Sequence, residues 1–443
     1  MCGIIGIVGK TDAAPRILSG LERLAYRGYD SAGIATVVGA HIHRTRAPGK
    51  LENLGRKLKD APLPGRTGIG HTRWATHGGP TETNAHPHAT SRVAVVHNGI
   101  IENYADLKSK LQKKGCMFDT ETDTEVIVHL VTDYLAQGYN EKDASFAAFD
   151  ELKGVYAIAL IFAGRDDLMI GARVGTPLAV GYGEGENYLA SDSYALAPLT
   201  RQVTFLEDGD RVVLTPTGVD IFNAHGTPIT RPVRMSAQSG LTTGKGDYRH
   251  FMHKEIHEQP SVIADTLSAL INPTTGDVMI NPDVLAALSS APRLTLIACG
   301  TAHYATFVAK YWFEQIARIP CDVDVASEFR YREAPMEQGG LAIVVSQSGE
   351  TLDTLEGLRY ARRMGQKILA IVNVVESTIE READFVLHTR AGPEIGVAST
   401  KAFTTQLTTL LALALAAVMA VLAFAAYTQP ELLLNYSGLR FCG

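Results

Sequence analysis

The chain has 443 residues, 46% of them hydrophobic, and a formal net charge of -6. That length exceeds one ordinary core and predicts two or three domains, while the mildly acidic balance leaves no basic footprint and argues against a nucleic-acid partner. The five cysteines, Cys2, Cys116, Cys299, Cys321 and Cys442, are odd in number, scattered and without a CxxC pair, which is the usage of a reducing compartment and predicts a cytoplasmic protein.

The first nine residues, Met-Cys-Gly-Ile-Ile-Gly-Ile-Val-Gly, place a thiol directly behind the initiator methionine and ahead of a glycine-spaced apolar run that reads as a buried strand. No charged region precedes an apolar core, so a signal peptide is not expected and the mature start falls near Cys2. With Met1 removed, Cys2 would carry both a thiol and an α-amine, a nucleophile and its base in one residue. The alternative is a small residue that merely opens a strand. A helical pattern over 13–26 then leads into Tyr-Arg-Gly-Tyr-Asp-Ser-Ala-Gly at 26–33, a tight loop before a strand at 34–38. Arg27 there either pins the N-terminal strand or is a solvated cation.

The run Thr-Gly-Ile-Gly-His-Thr-Arg-Trp-Ala-Thr-His-Gly at 67–78 follows a polar segment, and its arginine has the fork geometry to clamp a carboxylate beneath an aromatic lid. Five histidines (His71, His77, His86, His88 and His97) crowd this neighbourhood, but no recognisable zinc spacing links them to acidic or cysteine ligands. An apolar strand at 93–96 runs into His-Asn-Gly-Ile-Ile-Glu-Asn. Asn98-Gly99 after a strand is either a turn or, functionally, an amide and a backbone N–H aimed at one point, as an oxyanion hole requires. Residues 121–126 open a helix with acidic and hydroxyl groups, either as capping residues or with Asp123 accepting a substrate ammonium.

These motifs, in this order, resemble the glutaminase domain of class II (N-terminal nucleophile, Ntn) amidotransferases over about the first 220 residues. The resemblance implies that Cys2 attacks a glutamine side-chain amide, that Asn98 and Gly99 hold the oxyanion, and that Arg73, Trp74, Thr76, His77 and Asp123 surround the glutamine. It also implies an α+β Ntn-hydrolase sandwich (αββα) over residues 2–222.

Residues 223–245 turn to Gly, Pro, Thr and Ser and read as a linker, and 247–260 form a charged helical segment. There His253 and His257 stand at i, i+4, but Lys254 and Glu258 at the same spacing favour a salt-bridged surface over a metal site. Strand and helix then alternate, with strands predicted at 294–298, 341–345, 368–372 and 385–388. Helices are predicted at 301–316 and 351–364, followed by a long helix at the C-terminal end. Such alternation argues for a parallel sheet covered on both faces, with ligands at the carboxyl ends of its strands. Two of those ends are chemically loaded: Cys299-Gly300-Thr301 and Ser346-Gln347-Ser348-Gly349-Glu350-Thr351. A third loop, 394–403, carries Val397 and Ser399. Neither GxxxxGK[ST] nor GxGxxG is present, which leaves a phosphorylated sugar as the fitting ligand.

These runs resemble the first sugar isomerase (SIS) domain of glutamine:fructose-6-phosphate amidotransferases, and 247–260 resembles that family's connector. The resemblance implies an α/β SIS domain, a flavodoxin-like three-layer parallel sheet, over 282–420 after a linker and connector at 223–281. It further implies sugar-phosphate binding by Cys299, Gly300, Thr301, Ser346, Gln347, Ser348, Thr351, Val397 and Ser399. The implied reaction forms glucosamine 6-phosphate and glutamate from fructose 6-phosphate and glutamine, in a homodimer, with no cofactor, no metal and no membrane. Beyond Met419 the likeness fades. Residues 421–443 form a divergent tail, and the family's second SIS domain is missing from this sequence, so glutaminase competence and partial sugar-phosphate binding are expected. The apolar run 410–427 is near membrane-spanning length but reads as a helix buried in the SIS domain. A phosphosugar-binding regulator or an inactive truncated product is the competing expectation.

Overall fold

The computed structural model describes residues 2–25, 28–75, 77–236, 245, 247–272 and 274–428, with side chains as far as Met419. Two compact units divide the chain, Met1–Thr243 and Gly244–Gly443.

Apolar runs of six to ten residues, many spaced by glycine, build two antiparallel sheets in the first unit. One has eight strands in the order Arg234–Met235, Gln202–Phe205, Ala179–Tyr182, Asn187–Ala190, Gly3–Val8, Thr67–Arg73, Ser31–Val38 and His41–Pro48. The other has seven, in the order Pro228–Ile229, Val219–Phe222, Arg211–Leu214, Arg165–Val174, Gly154–Phe162, Val93–Ile101 and His88–Ala89. Ile4, Val8, Ile69, Ala94, Val96, Ala159 and Met169 fill the layer between the sheets. The outer face of the first sheet packs through Ile5 and Ile7 on helix Ala13–Leu24 at Ile17 and Leu21. The outer face of the second packs on helices Glu125–Ala136 and Glu141–Glu151 through Val95, Ile158, Val128 and Phe149. Helix, sheet, sheet and helix make the four-layer sandwich expected of this half.

Two sequence readings are decided here. Asn98-Gly99 is no turn: the strand Val93–Ile101 runs through it, with Asn98 opposite Ala157 and Gly99 opposite Tyr156. The segment read as linker instead contributes two short strands, 228–229 and 234–235, to the two sheets, because its apolar residues still find edges to pair with. Residues 237–244 and 246 lie outside the described set, as do Tyr26, Arg27 and Thr76.

The second unit holds a five-stranded parallel sheet in the order Cys321–Val325, Leu294–Ala298, Leu341–Ser346, Lys367–Val372 and Phe385–His388. Counted along the chain the order is 2-1-3-4-5, the flavodoxin-like winding whose switch point lies between strands 1 and 3. One face packs on helices Pro282–Ser290, Gly300–Trp312 and Lys401–Thr428 through Leu296, Ile343, Ala305 and Leu413. The other is covered by Leu355, Leu358 and Ile379 from helices Leu352–Arg363 and Thr378–Glu382. Helix Phe251–Leu270 continues through Pro260, where the sequence reading stopped, and belongs to this unit. On it His253 and His257 meet at 3.3 Å beside a Lys254–Glu258 pair at 3.4 Å. Among the described residues one helix, from Lys401, is long and apolar enough to cross a membrane. Its Leu410, Leu413, Ala414 and Ala417 are buried in the core of the unit, as a core helix requires.

Candidate active sites

Strands have a side-chain period of two, so parity decides which residues face the space between the sheets. Ile4 and Val8 face it from the first strand, Ile69 from the strand Thr67–Arg73, and Ala94 and Val96 from Val93–Ile101. Cys2, His71 and Asn98 share those parities and converge at one end of the inter-sheet layer. His71 Nε2 lies 2.9 Å from Asn98 Oδ1, and Asn98 Nδ2 donates to the Cys2 carbonyl at 3.3 Å. The Trp74 N–H points at Cys2 Sγ from 3.2 Å, because Gly3 pairs with Thr72 and brings the two strand ends side by side.

Burial pushes the Cys2 thiol above its ordinary range, and this outweighs the opposing pull of the Trp74 N–H, the terminal amine and Arg73. The sulfur therefore rests as a neutral thiol and needs a base to become a nucleophile. Gly99, with φ of +121°, is the one residue type its position admits: a Cβ would lie 1.9 Å from the Val155 carbonyl oxygen.

The residues expected around glutamine fall into three groups. Arg73 is buried, and its guanidinium donates to the carbonyls of His77, of Gly78 at 3.1 Å and of Gly79 at 3.2 Å, so it organises the loop that follows its strand. Asp123 is buried beside the strand Val93–Ile101, its Oδ2 accepting from the Ile101 N–H at 2.8 Å. Trp74 is 45% exposed, and the His77 ring stands edge-on to Tyr104. Thr76 lies outside the described residues.

Three of the five histidines form a buried stack. His71 lies on His86 at 4.3 Å between centroids, His86 meets His88 at 4.7 Å, His88 pairs with Thr122 and His97 with Thr124. Among the described residues no group of three or more His, Cys, Asp or Glu is arranged to hold a metal ion.

In the second unit the loaded strand ends sit at the switch point. Ala298 pairs with Val345, which puts Cys299-Gly300-Thr301 beside Ser346–Thr351. Ser346 Oγ accepts from the Gly349 N–H at 3.0 Å and touches Thr351 Oγ1 at 3.1 Å, while Ser348 Oγ accepts from Glu350 N at 3.2 Å. Helices Gly300–Trp312 and Leu352–Arg363 begin here, and neither Cys299 nor Thr351 caps its helix through its side chain. Their first N–H groups and positive dipole ends would favour an anion placed there. The buried Gln347 Nε2 has no hydrogen-bond partner, a donor suited to a ligand oxygen. Val397 is exposed, and Ser399 donates to Glu394 Oε2 at 2.9 Å, so this third loop is tied to its own helix start.

Residues 71–198 match the glutamine amidotransferase domain family, and residues 287–416 the SIS domain family. A glutamine–fructose-6-phosphate aminotransferase (isomerizing) of Brucella suis is 56% identical over 420 residues, covering 95% of this chain and 69% of the relative. The enzyme of that name from Zymomonas mobilis is 55% identical over 414 residues, covering 94% and 68%. The chain belongs to the glutamine–fructose-6-phosphate aminotransferase family. Among solved structures, the C-terminal domain of glucosamine-fructose-6-phosphate aminotransferase from Francisella tularensis is 40% identical. It covers 40% of this chain and 50% of that one, with a TM-score of 0.39.

Within this family member, sequence reasoning weighed His71 only as one of five histidines that could hold a metal, and did not single out Asn373 or Glu255. Asn373 takes its N–H to Gln347 O and its side chain to Gly392 O, joining the loops after two strands. Glu255 accepts from Ile395 and Gly396 N–H groups. For His71 a signal existed: a polar residue on the apolar-facing parity of a strand. For the other two, which act on backbone far away in sequence, there was none.

Proposed function

We propose that the chain hydrolyses glutamine at Cys2 and carries part of the synthase half, which binds fructose 6-phosphate, of an enzyme that makes glutamate and glucosamine 6-phosphate from these two substrates. After Met1 is removed, the Cys2 α-amine takes the thiol proton through a water, and the sulfur adds to the glutamine side-chain carbonyl carbon. The resulting oxyanion is met by Asn98 Nδ2 and the Gly99 N–H, where charge develops. Collapse expels ammonia with the transferred proton, and water then cleaves the thioester to glutamate. Arg73 and Asp123 hold the α-carboxylate and α-ammonium, with Trp74, Thr76 and His77 closing the pocket. The observation that carries this reading is the Asn98 amide held beside Cys2 at the open end of the inter-sheet layer.

The sugar phosphate lies at the switch point of the parallel sheet. Ser346, Gln347, Ser348 and Thr351 take the phosphate, Cys299, Gly300 and Thr301 line the adjoining strand end, and Val397 and Ser399 border the sugar. The partnerless Gln347 donor supports this placement. Two copies of the chain pair, consistent with the exposed stripe of Tyr304, Phe307 and Tyr311 along one helix. The free thiols Cys2, Cys116, Cys299 and Cys321 suit the cytoplasm.

The test is intact-mass analysis after treatment with a glutamine-mimicking electrophile. One adduct on a chain lacking Met1, absent from Cys2→Ala, is the expected result, together with loss of glutamate release in that variant. Glutamate release by Cys2→Ala at the unsubstituted rate would overturn the reading.

A further inference from the structure

An asparagine amide can face either way, and only one of its two faces can donate to an oxyanion. The Cys2 carbonyl can only accept, so the Asn98 atom 3.3 Å from it is the amide nitrogen and Oδ1 faces His71. Oδ1 in turn can only accept, so His71 Nε2 carries a hydrogen. Were the amide reversed, its oxygen would confront the Cys2 carbonyl and, during reaction, the forming oxyanion. We propose that His71, as a donor through Nε2, works with the Cys2 carbonyl to set the direction of the Asn98 amide and so builds one arm of the oxyanion hole.

His71 is a positioning residue in this account: its partner is Asn98, not the reacting atoms. The ring is itself held. It lies on the His86 ring with 24° between planes at 4.3 Å, and it is fully buried on a strand paired on both sides. Burial also lowers its pKa to about 3, so the imidazole stays neutral throughout the working range and adds no charge beside the developing oxyanion.

The inference rests on the reading of Cys2 and Asn98 given above, and its experiment separates the two. Glutamate release is measured on the full chain with His71→Leu, His71→Gln, Asn98→Ala, Cys2→Ala and the His71→Leu/Asn98→Ala double variant. Leucine lets the amide turn over, and kcat is expected to fall about 10- to 100-fold with KM nearly unchanged. The ceiling is the loss on removing a donor outright, roughly 10²- to 10³-fold. Glutamine, whose amide nitrogen reaches the place of Nε2, is expected to restore most of that loss. Once Asn98 is gone, removing His71 should cost little more, the non-additivity of two groups acting as one.

Alkylation of Cys2 by iodoacetamide, followed by mass, should proceed in His71→Leu as in the unsubstituted chain, because neither thiol nor amine is touched. Should leucine fail to fold, His71→Met takes its place in the series. Undiminished kcat in the apolar variant, equal losses for leucine and glutamine, a loss confined to KM, or fully additive losses would each overturn the role of His71. An active Cys2→Ala would instead overturn the nucleophile reading beneath it.

Discussion

A side chain at Gly99 meets two obstacles at once: the backbone has φ of +121°, and a Cβ would stand 1.9 Å from the Val155 carbonyl oxygen on the neighbouring strand. That carbonyl belongs to the sheet backbone and cannot swing aside as a side-chain tip would. Gly99→Ala is therefore expected to cost at least about 2 kcal/mol of stability, from left-handed strain and overpacking together. Glutamate release should fall further than stability alone explains, since the Gly99 N–H is displaced along with the strand. Thermal denaturation and steady-state kinetics on the same preparation check both parts. At this scale the sequence was readable where residue type and parity agree. Cys2 and Asn98, singled out by their motifs, lie side by side, and the alternation of Ile4, Ile69 and Val96 would have placed His71 with them. Of the two readings left open for Asn98-Gly99, the turn that its local propensity suggests is set aside by sheet pairing with Ala157 and Tyr156.

Helix ends and loops are held in this molecule by carboxylates that reach backbone N–H groups. Residues 121–124, read as helix-opening caps, do not cap Glu125–Ala136 through a side chain. Instead Glu125, in the first turn, folds back to accept from Asp119 N at 2.9 Å and from Thr120 N and Oγ1 at 2.8 Å. Burial alone would raise its pKa, but the His129 contact and these hydrogen bonds prevail and hold it at about 2. A carboxylate depressed in the fold stabilises above its unfolded pKa, and that contribution drains away as pH falls through the folded value. Glu125→Gln is therefore expected to be less stable by roughly 2 kcal/mol at pH 6, with the gap closing between about pH 4.5 and 2. Melting temperatures at pH 6 and pH 3 read that convergence.

In the second unit Glu255 plays a comparable part across a far longer sequence distance. It is buried, takes the Ile395 N–H at 2.6 Å and the Gly396 N–H at 3.0 Å, and thereby fixes the loop that carries Val397 and Ser399. Glu255→Ala leaves two part-buried backbone donors without their acceptor, a cost of about 1 kcal/mol. Sugar-phosphate affinity by titration calorimetry is expected to fall while glutamate release holds. Nothing in the sequence near 255 pointed there, because the partner is backbone 140 residues away.

At the scale of the whole chain, each unit carries its own cores. The two faces of the first sheet and the outer face of the second are packed by residues before 223, and the parallel sheet is packed by residues from 270 onward. The alternation of strand and helix was enough to predict the parallel sheet of the second half, whereas the sandwich of the first half came from the resemblance its motifs carry. The boundary was harder. Residues 228–229 and 234–235 are too short to announce themselves as strands, and the helix from Phe251 carries a proline that looks like an end. Substitutions in separate cores that share no partner should act independently. Cys2→Ala is thus expected to abolish glutamate release while leaving fructose 6-phosphate affinity intact. Ser348→Ala, which unties the Glu350 N–H at the strand end, should weaken sugar-phosphate binding several-fold and spare glutamine hydrolysis measured without the sugar. Calorimetry and glutamate release on both variants read the four quantities. Loss of sugar-phosphate binding in Cys2→Ala would mean that the two units do not act as separately folded sites.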